Sequence, residues 1–133
     1  MTLVDSSVWI DYFRGITTVE VERLDALLGV EPILMGDLIL AEVLQGFGSD
    51  ADFDTAKNLF DALEMVSLGG AEVCIQAAHN FRLLRRKGIT VRKTIDTIIA
   101  TSCIRNGYVL LYSDRDFDPF VEHLGLRSAV PRG

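Results

Sequence analysis

The stretch TVRKTIDTIIATSCIRNGYVLLYSDRDFDPF, residues 90 to 120, decides the fold. Its centre, YVLLY (108–112), is an uncharged run bounded by turn formers. Such a run suits a central parallel strand covered on both faces. Residues 94–106 before it read as a helix that Gly107 stops. Asp96 is the lone carboxylate of that helix and falls in its first turn, while the strand runs out into SDRDFD. A helix feeding a parallel strand runs antiparallel to it. Its start therefore lies at the strand's carboxyl edge, which sets Asp96 beside Asp114 and Asp116.

The same alternation extends outward in both directions. TLVD (2–5) predicts a first strand ending in an acid, followed by a helix over SSVWIDYFRG that Ser6 or Ser7 caps and Gly15 ends. Val21, Leu24, Leu27 and Leu28 recur at helical spacing before Gly29. EPILMG (31–36) predicts a second buried strand, and Asp37 a cap for the helix LILAEVLQGFG. Residues 49–65 form an amphipathic pattern, and VSL (66–68) reads as a third strand. In the next helix Val73, Ala77, Phe81 and Leu84 make one stripe. After YVLLY come a helical turn or two in DFDPFVEHLGL and an edge strand at RSAV. Strands alternating with helices imply right-handed crossovers and a parallel sheet between helices. The predicted fold class is α/β, a three-layer α/β/α sandwich with a short parallel sheet, in one domain spanning 1–133. No repeat, linker or low-complexity tract divides it.

Ligands of such sheets bind outside the carboxyl ends of the strands. Asp5 ends the first strand, Asp114 and Asp116 follow the YVLLY strand, Asp96 opens its helix, and Glu42 lies one turn into the helix after the second strand. Alone, each has an ordinary role: a macrodipole partner for Asp96, a solvent stripe with Leu38, Gln45 and Ser49 for Glu42, turn chemistry for Asp114 and Asp116. Independent ordinary roles do not select one edge five times. Carboxylates so gathered raise one another's pKa or recruit cations. With oxygen donors and no Cys or His among them, the cation selected is hard, Mg²⁺ or Mn²⁺. One or two such ions orient a phosphodiester, activate an attacking water and stabilise the leaving oxygen. Arg92 and Lys93, just before Asp96, are placed to hold flanking phosphates. Arg115 either neutralises its acidic neighbours or reaches substrate, and RRK (85–87) at a helix C-terminus also suits the dipole.

The totals narrow the field. Thirteen basic residues against nineteen acidic give −6, which excludes a general phosphate-coating protein but not a metal-dependent nuclease. Cys74 and Cys103 stand far apart, form no zinc spacing and are expected as buried, reduced thiols of a cytoplasmic protein. MTLVDSSVW lacks the basic-then-apolar order of a signal peptide, and no apolar run approaches the roughly 20 residues that span a bilayer. His79, on a polar helix face with Glu72 and Gln76, and His123, near a helix end, are not placed for catalysis. A receiver domain would need an acceptor Asp after the middle strand and a late Lys. A dehalogenase-type phosphatase would need DxD at the first strand. Neither is present.

VDSSVWIDYF, LAEVLQGF, TVRKTIDTIIATSCIRNG and VLLYSDRDFDPF, in this order across the chain, resemble a PIN domain, and more closely the VapC-type toxins of bacterial toxin–antitoxin pairs. The resemblance implies a PIN-like fold and an acidic quartet of Asp5, Glu42, Asp96 and Asp116, with Asp114 as a fifth member. Asp5 and Asp96 match the family's principal metal ligands, and Asp114 and Asp116 complete the metal set. Ser6 is expected to donate a hydrogen bond to Asp5, and the Ser113 hydroxyl to order the pocket. Mg²⁺- or Mn²⁺-dependent endoribonuclease activity that stops translation is implied. So are a cognate VapB-type antitoxin, homodimers and toxin–antitoxin hetero-oligomers. The antitoxin's C-terminal segment is expected in an apolar groove of Val8, Trp9, Tyr12 and Phe13 with parts of helices 37–48 and 50–65. The alternative is a PIN scaffold that binds RNA or protein without turnover.

Overall fold

The computed structural model describes residues 1–131. Five short parallel strands lie in the order β3-β2-β1-β4-β5: β1 (Thr2–Val4), β2 (Ile33–Gly36), β3 (Glu64–Val66), β4 (Val109–Leu111) and β5 (Arg127–Ser128). Between β1 and β2 run α1 (Ser6–Phe13) and α2 (Val19–Leu27). Between β2 and β3 run α3 (Asp37–Leu44) and α4 (Asp50–Asp61). The chain then returns through α5 (Ala71–Arg86) and α6 (Thr94–Asn106) to β4 on the other side of β1. A 3-10 turn (Arg115–Phe117) and α7 (Asp118–Leu124) lead to the edge strand β5. Right-handed crossovers that reverse direction after β3 put α1–α4 on one face of the sheet and α5–α7 on the other. The reversal leaves a switch point between β1 and β4, where open α/β sheets bind ligands.

The core explains why the central strands carry no charge. Leu3, Val4, Leu34, Met35, Leu110 and Leu111 are buried, as is Trp9, whose ring meets Phe60 edge-on at 4.9 Å. Helix α6 lies between the sheet and α5 and is buried almost all round, which is why its sequence is small and hydroxylated rather than striped. Asn80 of α5 donates to Thr101 Oγ1 at 3.0 Å inside that contact, a buried polar group satisfied within the core. Gly107, at φ 72°, ends α6 in the left-handed conformation and turns the chain into β4.

Several elements differ from the sequence expectation. The third strand is Glu64–Val66, two residues earlier than VSL, because Leu68 leaves the ladder to pack on Gly36. A Cβ at position 36 would stand 2.2 Å from Leu68 Cδ1, so the glycine admits that contact. Asp37 belongs to α3 rather than capping it, and its Oδ1 accepts from the Leu68 and Leu38 N–H groups, pinning the loop after β3. Cys74 is exposed, not buried, because it lies off the Ala77–Leu84 stripe, whereas Cys103 is buried. Among the described residues no helix is long and apolar enough to cross a membrane.

Candidate metal centre

Asp5 leaves the sheet at the end of β1, with its backbone N–H still donating to Leu111 O of β4 at 2.9 Å. That bond ties the acid to the strand whose end carries Asp114. Asp5 is itself the N-cap of α1, with its carboxylate accepting from the Ser7 N–H at 3.1 Å. The Ser7 hydroxyl donates to the same oxygen, Oδ2, at 2.6 Å, and accepts from the Ser113 N–H at 3.3 Å. A serine therefore stitches the ends of β1 and β4 together through one carboxylate. The caps anticipated at Ser6 or Ser7 are displaced by the acid, because a strand that ends at Val4 puts Asp5 at the cap position.

One residue into the helix, the Ser6 hydroxyl points across to α3 and donates to Glu42 Oε1 at 3.3 Å, while the Ser6 backbone N–H favours the charged form of Asp5. Ser113 contributes its backbone N–H, which donates to the Ser7 hydroxyl. Ser7 was missed in the sequence. Its signal lies in the spacing, since the residue two after a capping Asp is the one that meets the cap's side chain.

Asp96 sits in the first turn of α6 and is 4% exposed. Asp114 caps the 3-10 turn by accepting from the Asp116 N–H at 3.0 Å, which turns both carboxylates toward α6. Asp96, Asp114 and Asp116 each offer an oxygen within 4.8 Å of the others. Asp5 and Glu42 flank this trio: Asp5 and Asp114 repel electrostatically, and Asp96 feels Asp5, Asp114 and Glu42. The five acids thus do share one edge, as an inner trio with two flanking members. Asp118, the third acid of SDRDFD, lies apart and accepts from the buried Tyr112 hydroxyl at 2.7 Å.

The protonation equilibria report the crowding. Burial, then the nearby Asp5, push the Asp96 carboxyl up to about 7. Burial also raises Asp5 against the lowering effect of the Ser7 hydrogen bonds. Glu42 is raised by burial and by Asp5. Two buried carboxylate oxygens, Asp5 Oδ1 and Asp96 Oδ2, have no hydrogen-bond partner among the described residues. Buried carboxylate oxygens are ordinarily satisfied. An all-oxygen set with unused buried donors fits a hard divalent cation.

The two cations expected to face substrate lie on the acids. Arg92 Nη2 reaches both Asp116 oxygens, at 3.3 and 3.2 Å, and Lys93 Nζ stands 3.8 Å from Asp114 Oδ2. Arg115 is exposed beside them. Away from this edge, Val8 and Trp9 are fully buried. The apolar groove on that side is bounded instead by Ile10, Phe13, Val43 and Phe47, with Phe13 and Phe47 edge-to-face at 5.3 Å.

Known proteins share this architecture. The PIN domain family matches residues 2–121. The chain is 33% identical over 131 residues to Ribonuclease VapC11 of Mycobacterium tuberculosis, an alignment covering 97% of this chain and 98% of that protein. VapBC-1 from nontypeable Haemophilus influenzae superposes with a TM-score of 0.72 at 18% identity, over 96% of this chain and 95% of that one. VapBC2 from Rickettsia felis, bound to a DNA fragment from their promoter, gives 0.71 at 17% identity over 96% of each chain. At those identities the two structures speak for the fold, while the closer relative extends the likeness to sequence along nearly the whole chain. The chain belongs to the PIN-domain family and, within it, to the VapC ribonucleases.

Proposed function

We propose that this protein is the toxin of a toxin–antitoxin pair, an endoribonuclease that hydrolyses RNA phosphodiester bonds with Mg²⁺ or Mn²⁺ bound at the β1–β4 switch point. The observation that carries the reading is the Asp96, Asp114 and Asp116 trio within 4.8 Å, beside the partnerless oxygens of Asp5 and Asp96. The ribonuclease name of its 33%-identical relative supports the substrate class.

Asp96, Asp114, Asp116 and the free Oδ1 of Asp5 would hold the ion. A hard cation bound there supplies Lewis acidity to the phosphodiester and to an attacking water. The chain's own residues do the rest. Ser7 holds Asp5 in one orientation through Oδ2 and leaves Oδ1 toward the centre. Ser6 fixes one oxygen of Glu42, whose raised proton affinity suits it to take up the proton that the water loses. Arg92 and Lys93 hold Asp116 and Asp114 until substrate phosphate competes for them.

The VapBC structures that share the fold support a VapB-type antitoxin as partner. An apolar antitoxin segment fits the Ile10, Phe13, Val43 and Phe47 groove. Self-association into homodimers and hetero-oligomers completes the proposal. The test is cleavage of total cellular RNA by purified protein, with Mg²⁺ or Mn²⁺, with EDTA, and beside Asp5→Asn. Discrete fragments that need both metal and Asp5 are expected. Folded, antitoxin-free protein that cleaves no RNA would overturn the assignment.

A further inference from the structure

Six of the chain's thirteen basic residues fall within positions 82–93, a span containing no acid. In a protein of net charge −6, that segregation makes one basic strip on an acidic body. The strip comprises the second half of α5 and the loop entering α6, so it runs up to the acidic centre. Alongside it lies an open groove of about 580 Å³ between α5 and α6, floored by Ala77 and Ala78 and walled by Phe81, Arg82, Arg85 and Thr94. Thr97, at 2% exposure, also lines the groove, and its buried hydroxyl has no hydrogen-bond partner among the described residues. Thr94 follows Lys93, whose Nζ stands 3.8 Å from Asp114 Oδ2, so one end of the groove comes within a residue of the metal centre.

We propose that this groove seats an unpaired nucleotide of the RNA next to the scissile phosphate, an inference that rests on the ribonuclease reading. Phe81 carries the Arg85 guanidinium 5.6 Å from its ring centroid, so a flat cation is held at the wall in advance. Bases stack on guanidinium and aromatic faces in single strands, where their own neighbours do not cover them. Arg82 and Arg85 stand at the rim for the flanking phosphates. The alanine floor leaves room for a ring that larger side chains would exclude. An apolar groove rimmed by cations and adjoining a phosphodiester-cleaving centre matches a polyanion with flat apolar faces better than it matches a neutral helix.

The experiment measures fluorescence anisotropy of a labelled single-stranded RNA dodecamer, with Ca²⁺ in place of Mg²⁺ and across a salt series. The proteins compared are wild type, Phe81→Leu, Arg82→Gln and Arg85→Gln. Phe81→Leu keeps an apolar filling of this half-buried site, which protects the fold. Arg23→Gln on α2, in the opposite layer, is the control for lost charge. Each groove variant is expected to raise Kd about tenfold. The arginine variants should also lower the salt slope by about 0.7 each, as for single strands, and KM should rise with kcat nearly unchanged. Groove variants that bind like Arg23→Gln, while wild type binds and cleaves, overturn the subsite and leave the ribonuclease standing. A wild type that neither binds nor cleaves RNA overturns both. A changed molecular mass in light scattering, with RNA affinity intact, assigns the face to protein contact and also overturns the subsite.

Discussion

Replacing Asp96 with asparagine keeps the shape of a nearly buried side chain and removes a charge that its surroundings disfavour. Burial and the neighbouring acids lift its carboxyl from 3.8 to about 7. The sign follows from the proton count. Between those values the folded protein holds a proton that the unfolded chain has released, so stability falls as pH rises through the window. The gap corresponds to roughly 4 kcal/mol in full. Solvent at the open edge, where Asp114 and Asp116 are partly exposed, screens this to about 2 kcal/mol. In EDTA at pH 8, Asp96→Asn should therefore be more stable than wild type by about 2 kcal/mol, a Tm gain of roughly 8 °C. The gain should shrink to within about 0.5 kcal/mol at pH 3, below the ordinary value, where both states of the wild type are mostly protonated. Added Mn²⁺ should stabilise wild type and leave the variant nearly unmoved, and RNA cleavage should disappear. Thermal scans across pH and metal decide it. A variant no more stable than wild type at pH 8 without metal would refute the claim that these acids repel.

Three further outcomes follow from the contacts. Ser7→Ala removes a 2.6 Å hydrogen bond to Asp5 and should weaken Mn²⁺ binding 10- to 100-fold by calorimetry, whereas Ser113→Ala, which keeps its N–H, should change it less than about threefold; equal losses would return the role to the Ser113 hydroxyl. Arg92→Gln frees Asp116 from an exposed ion pair of at most about 1 kcal/mol and should tighten Mn²⁺ binding about two- to fivefold; weaker binding would mean that the guanidinium helps to organise the site. Gly36→Ala forces a methyl into the Leu68 side chain and should cost about 1–3 kcal/mol in urea denaturation; an unchanged midpoint would show that Leu68 moves aside freely.

What the sequence determined by itself was set by periodicity and by strand ends. YVLLY could be read as a doubly covered strand because burial on both faces leaves no room for charge. Asp96, Asp114 and Asp116 could be brought together because a parallel crossover leaves no other edge for them. Finer matters turned on where a side chain points. One residue of helical rotation sends Ser6 to Glu42 and Ser7 to Asp5, and hydrophobic spacing does not resolve that step. Burial of Trp9 and exposure of Cys74 likewise depend on which faces α4 and α5 cover. The pairing of Arg92 with Asp116 joins residues 24 apart that only the folded loop brings within 3.2 Å. Local pattern fixed the elements and the edge where the acids meet, because both follow from backbone direction. Tertiary packing decided the partners within that edge, because hydrogen bonds and ion pairs are made at the scale of a single side-chain rotation.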